Sequence, residues 1–168
     1  CGLAGELGHM IIRKGGRRCG CGHRGCAEAY CSKKAFVKAL KKEIFKCGMR
    51  TLLPIEKFNP ETVNIKSKYL ARAYNEDDPA VRKVIDKGFR MLGIAAAASC
   101  AAVAPECIVL GGGVVEALGD QVEIPFKSAF NRHLFGISPA DVEIRISTLG
   151  DHAVAVGATL LARGTGRK

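Results

Sequence analysis

Three cysteines crowd into eight positions, Cys19, Cys21 and Cys26, in a glycine-rich stretch that also holds His9 and His23. No other feature constrains the fold as tightly. Zinc prefers four soft or borderline ligands in a tetrahedron, and three thiolates with one imidazole are a standard structural set. Cys19 and Cys21 are close enough in sequence to clasp one ion. The gap to Cys26 holds Gly22 and Gly25, which let the loop curl back. His9, ten residues before Cys19, supplies the fourth ligand. His23 is the rival, but it lies inside the tight loop and is expected to point outward. The expectation is a structural zinc site of His9, Cys19, Cys21 and Cys26. Three buried free thiols fit poorly in so polar a stretch. Glu6 and Glu28 bracket these residues. A carboxylate beside a closed metal shell either supports a ligand or accepts the hydroxyls of a polyol, and spacing alone leaves both open.

Clustered thiols beside a histidine suit metal ligation in a reducing compartment better than disulfides, and the cytoplasm is the expected location. At 168 residues the chain is long enough for one domain with its own core. Without tryptophan, that core must rest on alanine, valine, isoleucine and leucine. The apolar run from Ile94 to Val103 falls well short of the about twenty residues a membrane span needs. The chain opens on Cys1-Gly2-Leu3 with no signal peptide. That opening reads as a start in mid-protein, so a fragment is expected. The net charge of +10 is concentrated early, in residues such as Arg13, Arg17, Lys33 and Lys41. No stacking aromatics or DNA-reading motif accompany it. It is therefore read as a solvated basic surface that attracts anionic ligands such as nucleotides, and nucleic acid is not the expected partner.

Apolar residues from Tyr30 to Phe45 recur at helical spacing, so one helix is expected over Glu28–Cys47, with Gly48 as its stop. Asn59-Pro60-Glu61 reads as a cap and start, and a helix should run through Tyr69–Ala73. Asp78-Pro79 opens a long helix reaching about Ala104, where Pro105 ends it. Cys107–Leu110 reads as an apolar strand, followed at once by Gly111-Gly112-Gly113 and then a helix. A further helix is expected over about Ile124 to Leu134, a half-buried strand over Val142–Ser147, and a last helix over Ala153–Ala162. This is an α/β layout, with no internal repeat and no linker to a second domain.

Glu6-x-Gly8-His9, then Cys19-Gly-Cys-Gly-x-x-Gly-Cys26-x-Glu28, closely resembles the signature of the ROK family of bacterial sugar kinases and sugar-responsive repressors. The likeness extends to Pro105-Glu106 through Gly113, and to Leu149-Gly150-Asp151 with Gly157-Ala158 beyond. It implies the C-terminal portion of an actin-like ATPase (ribonuclease H-like) fold with a zinc-stapled loop. The whole span 1–168 would form the sugar- and nucleotide-binding domain.

The resemblance also assigns roles. Residues matching Glu6, His9 and Glu28 contact sugar hydroxyls, and the histidine binds zinc as well. Gly111, Gly112 and Gly113 match an adenosine-side loop, with Val114 and the Gly150–Asp151 turn along the same cleft. ATP with Mg²⁺ is the implied co-substrate, a hexose such as glucose the acceptor, and a homodimer the implied assembly. A kinase of the glucokinase type is expected, and a repressor is the alternative. Ala104 stands where the family usually has aspartate, and His152 where it often has a second acid. The family's phosphate-binding Asp-x-Gly-Gly-Thr loop and catalytic aspartate are expected before residue 1, so no residue of this chain is assigned as the catalytic base.

Overall fold

The computed structural model describes residues 5–55 and 65–164. The cap and start expected at Asn59-Pro60-Glu61 lie outside the described residues. Helix α4, Pro79–Val103, is the longest element and organises the rest. Asp78 caps it by accepting the Val81 N–H at 2.9 Å, and Pro79 fills the first turn. There its fixed φ is already helical and its missing N–H is not needed. Ala104 terminates the helix in a left-handed conformation, φ 42°, and Pro105 follows. The start and end read from the sequence are both correct.

Val81, Val84, Ile85 and Phe89 of α4 are buried in the main core. They pack against helices α1 (Glu28–Cys31), α2 (Lys33–Lys41) and α3 (Ser67–Asn75). Farther along, Gly93 lets α6, Glu123–His133, lie close: a Cβ there would sit 2.4 Å from the Phe126 carbonyl oxygen. Phe126 and Phe130 of α6 stack with ring centroids 5.8 Å apart. Asp78, fully buried, does a second job. It accepts the Thr51 hydroxyl at 2.7 Å and the Leu52 N–H, pinning that segment to the start of α4.

The single helix expected over Glu28–Cys47 is corrected to two. Ser32 leaves helical space (ψ 155°) and its hydroxyl accepts the Ala35 N–H at 3.2 Å, capping α2. A serine side chain competes with the helical ladder in this way and favours a new start over continuation. The end of the segment widens into a π-helical turn over Lys42–Lys46, and Gly48 follows with φ 65°.

Strands β1 (Cys107–Leu110) and β2 (Glu143–Ile146) pair in parallel, Cys107 opposite Glu143 and Leu110 opposite Ile146. The connection between them carries α5, Gly113–Leu118, and α6, as a parallel crossover requires. Ile108, Ile144 and Ile146 pack against the core. The other face is open, and Val109 is 62 % exposed despite the wholly apolar run around it. Helix α7, Ala153–Gly164, likewise buries no residue, leaving Val154, Leu160 and Leu161 exposed. No helix among the described residues is long and apolar enough to cross a membrane.

Candidate functional site

The glycine-rich segment before α1 folds as a knot of short backbone contacts. Leu7–His9 forms a 3-10 turn. Isolated antiparallel bridges join Ile11 to Cys26 and Arg18 to Arg24. Gly25 is the tightest point. Its φ is +89°, and a Cβ there would lie 1.8 Å from the Arg13 carbonyl oxygen, so only glycine fits. Its carbonyl accepts the N–H groups of Ile12 and Arg13, and its N–H donates to Arg17 O at 2.8 Å. These bonds place Cys26 back under Cys19.

The result gathers one donor atom each from His9, Cys19, Cys21 and Cys26 within 4.8 Å of one another. A tetrahedral zinc with ordinary bond lengths separates its ligands by about 3.5–3.8 Å. Cys21 Sγ lies 3.6 Å from Cys26 Sγ, and Cys19 Sγ 3.8 Å from His9 Nδ1. The donor set therefore suits a zinc ion in chemistry, and two of its separations already match that spacing. Cys19 and Cys26 are buried, while Cys21 and His9 are exposed. Burial and the adjacent thiols push the Cys26 thiol up to about 11. The His23 backbone draws the Cys21 thiol down. His23 is exposed and its Nδ1 approaches Cys21 Sγ at 3.6 Å, but it is outside the four-donor group.

Glu28, the first residue of α1, and Glu6, just before the 3-10 turn, stand on either side of the His9 ring. Glu28 Oε2 is 3.5 Å from His9 Nδ1 and 3.6 Å from Cys19 Sγ, and Glu6 Oε2 is 3.8 Å from His9 Nε2. All three side chains remain solvent-accessible, at 47 %, 59 % and 40 % for Glu28, Glu6 and His9. An open polar mouth of two acceptors around one imidazole can take several hydroxyl donors at once. The same placement sets the Glu28 carboxylate beside the donor cluster, within reach of both His9 and Cys19.

The glycine loop forms a separate locus, at the C-terminal ends of both strands. Open parallel sheets characteristically receive ligands at this edge. Gly112 has φ 100° and Gly113 is already the first residue of α5. All three glycines are exposed. Two side chains the sequence did not single out flank them. A Cβ on Gly111 would sit 3.3 Å from Ser147 Cβ, and one on Gly113 3.5 Å from Ser67 Oγ. No local pattern marks these serines, since α3 and β2 meet the loop only in the folded chain. Val114, expected along the cleft, is instead buried in the core. Gly150–His152 forms a short 3-10 turn beside α7.

The described residues thus present a Cys3His cluster with flanking carboxylates and, apart from it, a β–glycine–α loop. The sequence model of the ROK family matches residues 1–165, and the chain belongs to that family. It is 32% identical to a glucokinase of Halalkalibacterium halodurans over 164 residues, which are 96% of this chain and 48% of that protein. It is 28% identical to the DNA-binding transcriptional dual regulator NagC of Escherichia coli, over 96% of this chain and 37% of the regulator. Its fold superposes on a ROK family glucokinase from Streptomyces griseus, solved with glucose and AMPPNP. The TM-score is 0.79 and the identity 28%, over 96% of this chain and 52% of that one. The chain thus spans about half the length of the glucokinases it matches. Kinases and repressors of the family both appear among its relatives.

Proposed function

We propose that this chain forms the sugar-orienting and nucleotide-facing part of an ATP-dependent hexose kinase of the glucokinase type, spanning 1–168 as its C-terminal domain. The observation that carries the reading is the pair of carboxylates, Glu6 and Glu28, on either side of the His9 ring. Each carboxylate accepts two hydroxyl donors in fixed geometry, and such charge-assisted bonds are the strong ones. A hexose such as glucose supplies those donors on adjacent carbons. Zinc on His9, Cys19, Cys21 and Cys26 contributes a structural cross-link, because four protein ligands leave no open position. His9 and its loop then meet the sugar preorganised. On the other locus, Gly111, Gly112 and Gly113 let a nucleotide approach the backbone, with ATP and Mg²⁺ as the donor pair. Phosphoryl transfer depends on positioning and charge neutralisation, and this chain supplies the positioning. The cytoplasm, where thiols stay reduced, suits the donor set, and a homodimer is the proposed assembly.

Calorimetry of the zinc-loaded chain with glucose and with AMPPNP tests the reading. Both should bind. Glu28→Gln should weaken glucose about tenfold or more, the size of one charge-assisted hydrogen bond, and leave AMPPNP unchanged. Glucose binding indifferent to Glu28→Gln would refute the sugar site. Incubated alone with glucose and ATP, the chain should form no sugar phosphate, because the group that takes the hydroxyl proton is not among its motif residues. The second reading, a sugar-sensing repressor, draws on the similarity to the NagC regulator. Sugar binding without any AMPPNP binding would favour it.

A further inference from the structure

The three cysteines of the donor cluster differ in what their sulfurs face. Cys21 Sγ meets Cys26 Sγ at 3.6 Å. Cys19 Sγ instead meets the Glu28 carboxylate at 3.6 Å and His9 Nδ1 at 3.8 Å. They differ in access as well: Cys26 is fully buried and Cys19 nearly so, while Cys21 is exposed. An oxidant arriving from solvent therefore meets Cys21 first, and the thiol beside it belongs to Cys26. An accessible cysteine next to a resolving one is the arrangement in which thiol oxidation stops at a reversible disulfide.

The backbone divides in the same way. Cys26 is anchored. It bridges to Ile11, its neighbour Gly25 is bonded to Ile12, Arg13 and Arg17, and the Ala27 N–H donates to Met10 O at 2.9 Å. Cys21 sits between Gly20 and Gly22, and a Cβ at either would meet nothing within 4 Å. The turn that carries it closes on itself, the Gly22 N–H donating to Cys19 O at 3.2 Å and the Cys19 N–H to His23 O at 2.8 Å. A shift of Cys21 thus breaks none of the bonds that hold Cys26. A disulfide sets its sulfurs about 2.05 Å apart, so closing from 3.6 Å takes a movement of about 1.5 Å. Two glycines with open space around them let Cys21 make it.

Given the zinc site proposed above, on which this rests, we propose that Cys21 and Cys26 are a dithiol–disulfide switch on that site, with hydrogen peroxide as the oxidant. Cys21 Sγ attacks one peroxide oxygen, the O–O bond breaks, and the other oxygen leaves as water, making Cys21 a sulfenic acid. Cys26 Sγ then attacks the Cys21 sulfur, the S–O bond breaks, and a second water leaves. The two thiols together give up two electrons and two protons, which the peroxide takes up. The disulfide leaves only His9 and Cys19 of the four donors, too few for a closed zinc site. Zinc is released, and the His9 ring between Glu6 and Glu28 loses its anchor. A thiol reductant reverses the step.

The test treats the zinc-loaded chain with hydrogen peroxide, follows zinc with a chromophoric chelator, and maps the cysteines by peptide mass after alkylation. Zinc should be released in step with a Cys21–Cys26 disulfide, chain for chain, and a dithiol reductant with added zinc should restore the loaded form. Cys31→Ser, outside the four-donor group, should respond as the unaltered chain does. Cys19→Ser, which keeps the pair, should still give the Cys21–Cys26 disulfide. A disulfide to any other cysteine, a link between two chains, sulfinic acid at Cys21 with Cys26 still free, or zinc retained after the disulfide has formed would each overturn the proposal. A chain that takes up no zinc before treatment refutes the zinc reading instead. The pairing is then read on the metal-free chain, where the Cys21–Cys26 disulfide supports it and its absence overturns it.

Discussion

Replacing Gly25 with alanine isolates the geometry of the cysteine loop without removing any of the four donor side chains proposed to hold zinc. The new Cβ would lie 1.8 Å from Arg13 O, a backbone atom that cannot rotate away, and it would sit on a residue with φ +89°. A positive φ costs an ordinary residue roughly 1–2 kcal/mol. Moving the loop to relieve the clash strains up to three backbone hydrogen bonds, from Ile12 N and Arg13 N to Gly25 O and from Gly25 N to Arg17 O. Each is worth about 0.5–1.5 kcal/mol net. The sum is about 3–6 kcal/mol, and because Cys26 follows directly, it falls on zinc binding. At about 1.4 kcal/mol per tenfold, zinc affinity should drop by about two to four orders of magnitude. Competition with a chromophoric chelator measures this. Gly20→Ala in the same loop is the control, since nothing lies within 4 Å of its Cβ position. It should change affinity by less than about 0.5 kcal/mol. Gly25→Ala holding zinc as tightly as Gly20→Ala would refute the claim that this turn builds the site.

Asp78→Ala removes the cap of α4 and leaves the Thr51 hydroxyl and the Leu52 N–H without their acceptor. A loss of about 3–5 kcal/mol is expected from denaturant unfolding, with Asp78→Asn recovering part of it. The metal-free chain should also lose stability in alkali. Burial raises the Cys31 thiol from 9.0 to about 11, so the folded state keeps a proton that the unfolded state has released. That contribution is fully present below about pH 9 and disappears as the pH rises towards 11. It is worth up to about 2–3 kcal/mol. Unfolding midpoints measured from pH 8 to 11 should therefore fall, and Cys31→Ala should flatten the slope.

The parts of the fold that local chemistry dictates were legible from the residues. Asp78-Pro79 and Pro105 bound α4 because a side-chain acceptor and a missing N–H act within a turn of where they stand. The clustering of His9 with three cysteines was legible because short spacing limits where the loop can go. Ser32 was misread because apolar periodicity runs through it, while its hydroxyl makes a local bond that periodicity does not register. The exposure of Val109 and of α7 was invisible for another reason. An apolar run reports what a segment avoids, and only the folded chain shows what covers it. Ser67 and Ser147 reach the glycine loop through tertiary packing and carry no local signal at all.

Helix α4 has a mechanical consequence. Its 25 residues make a rod about 37 Å long. Along it, Gly88 abuts Tyr30 behind the cysteine loop, and Ser99 Oγ meets Met10 Sδ at 3.4 Å. Its far end feeds through Ala104 and Pro105 into β1 and the glycine loop. The carboxylate-flanked cysteine loop and the glycine loop are thus mounted on one beam, which sets their span. If the proposed sugar and phosphoryl donor bind at these two loci, a stiff helix favours closing the distance by carrying the beam as a whole, or by a part that swings against it, over bending it.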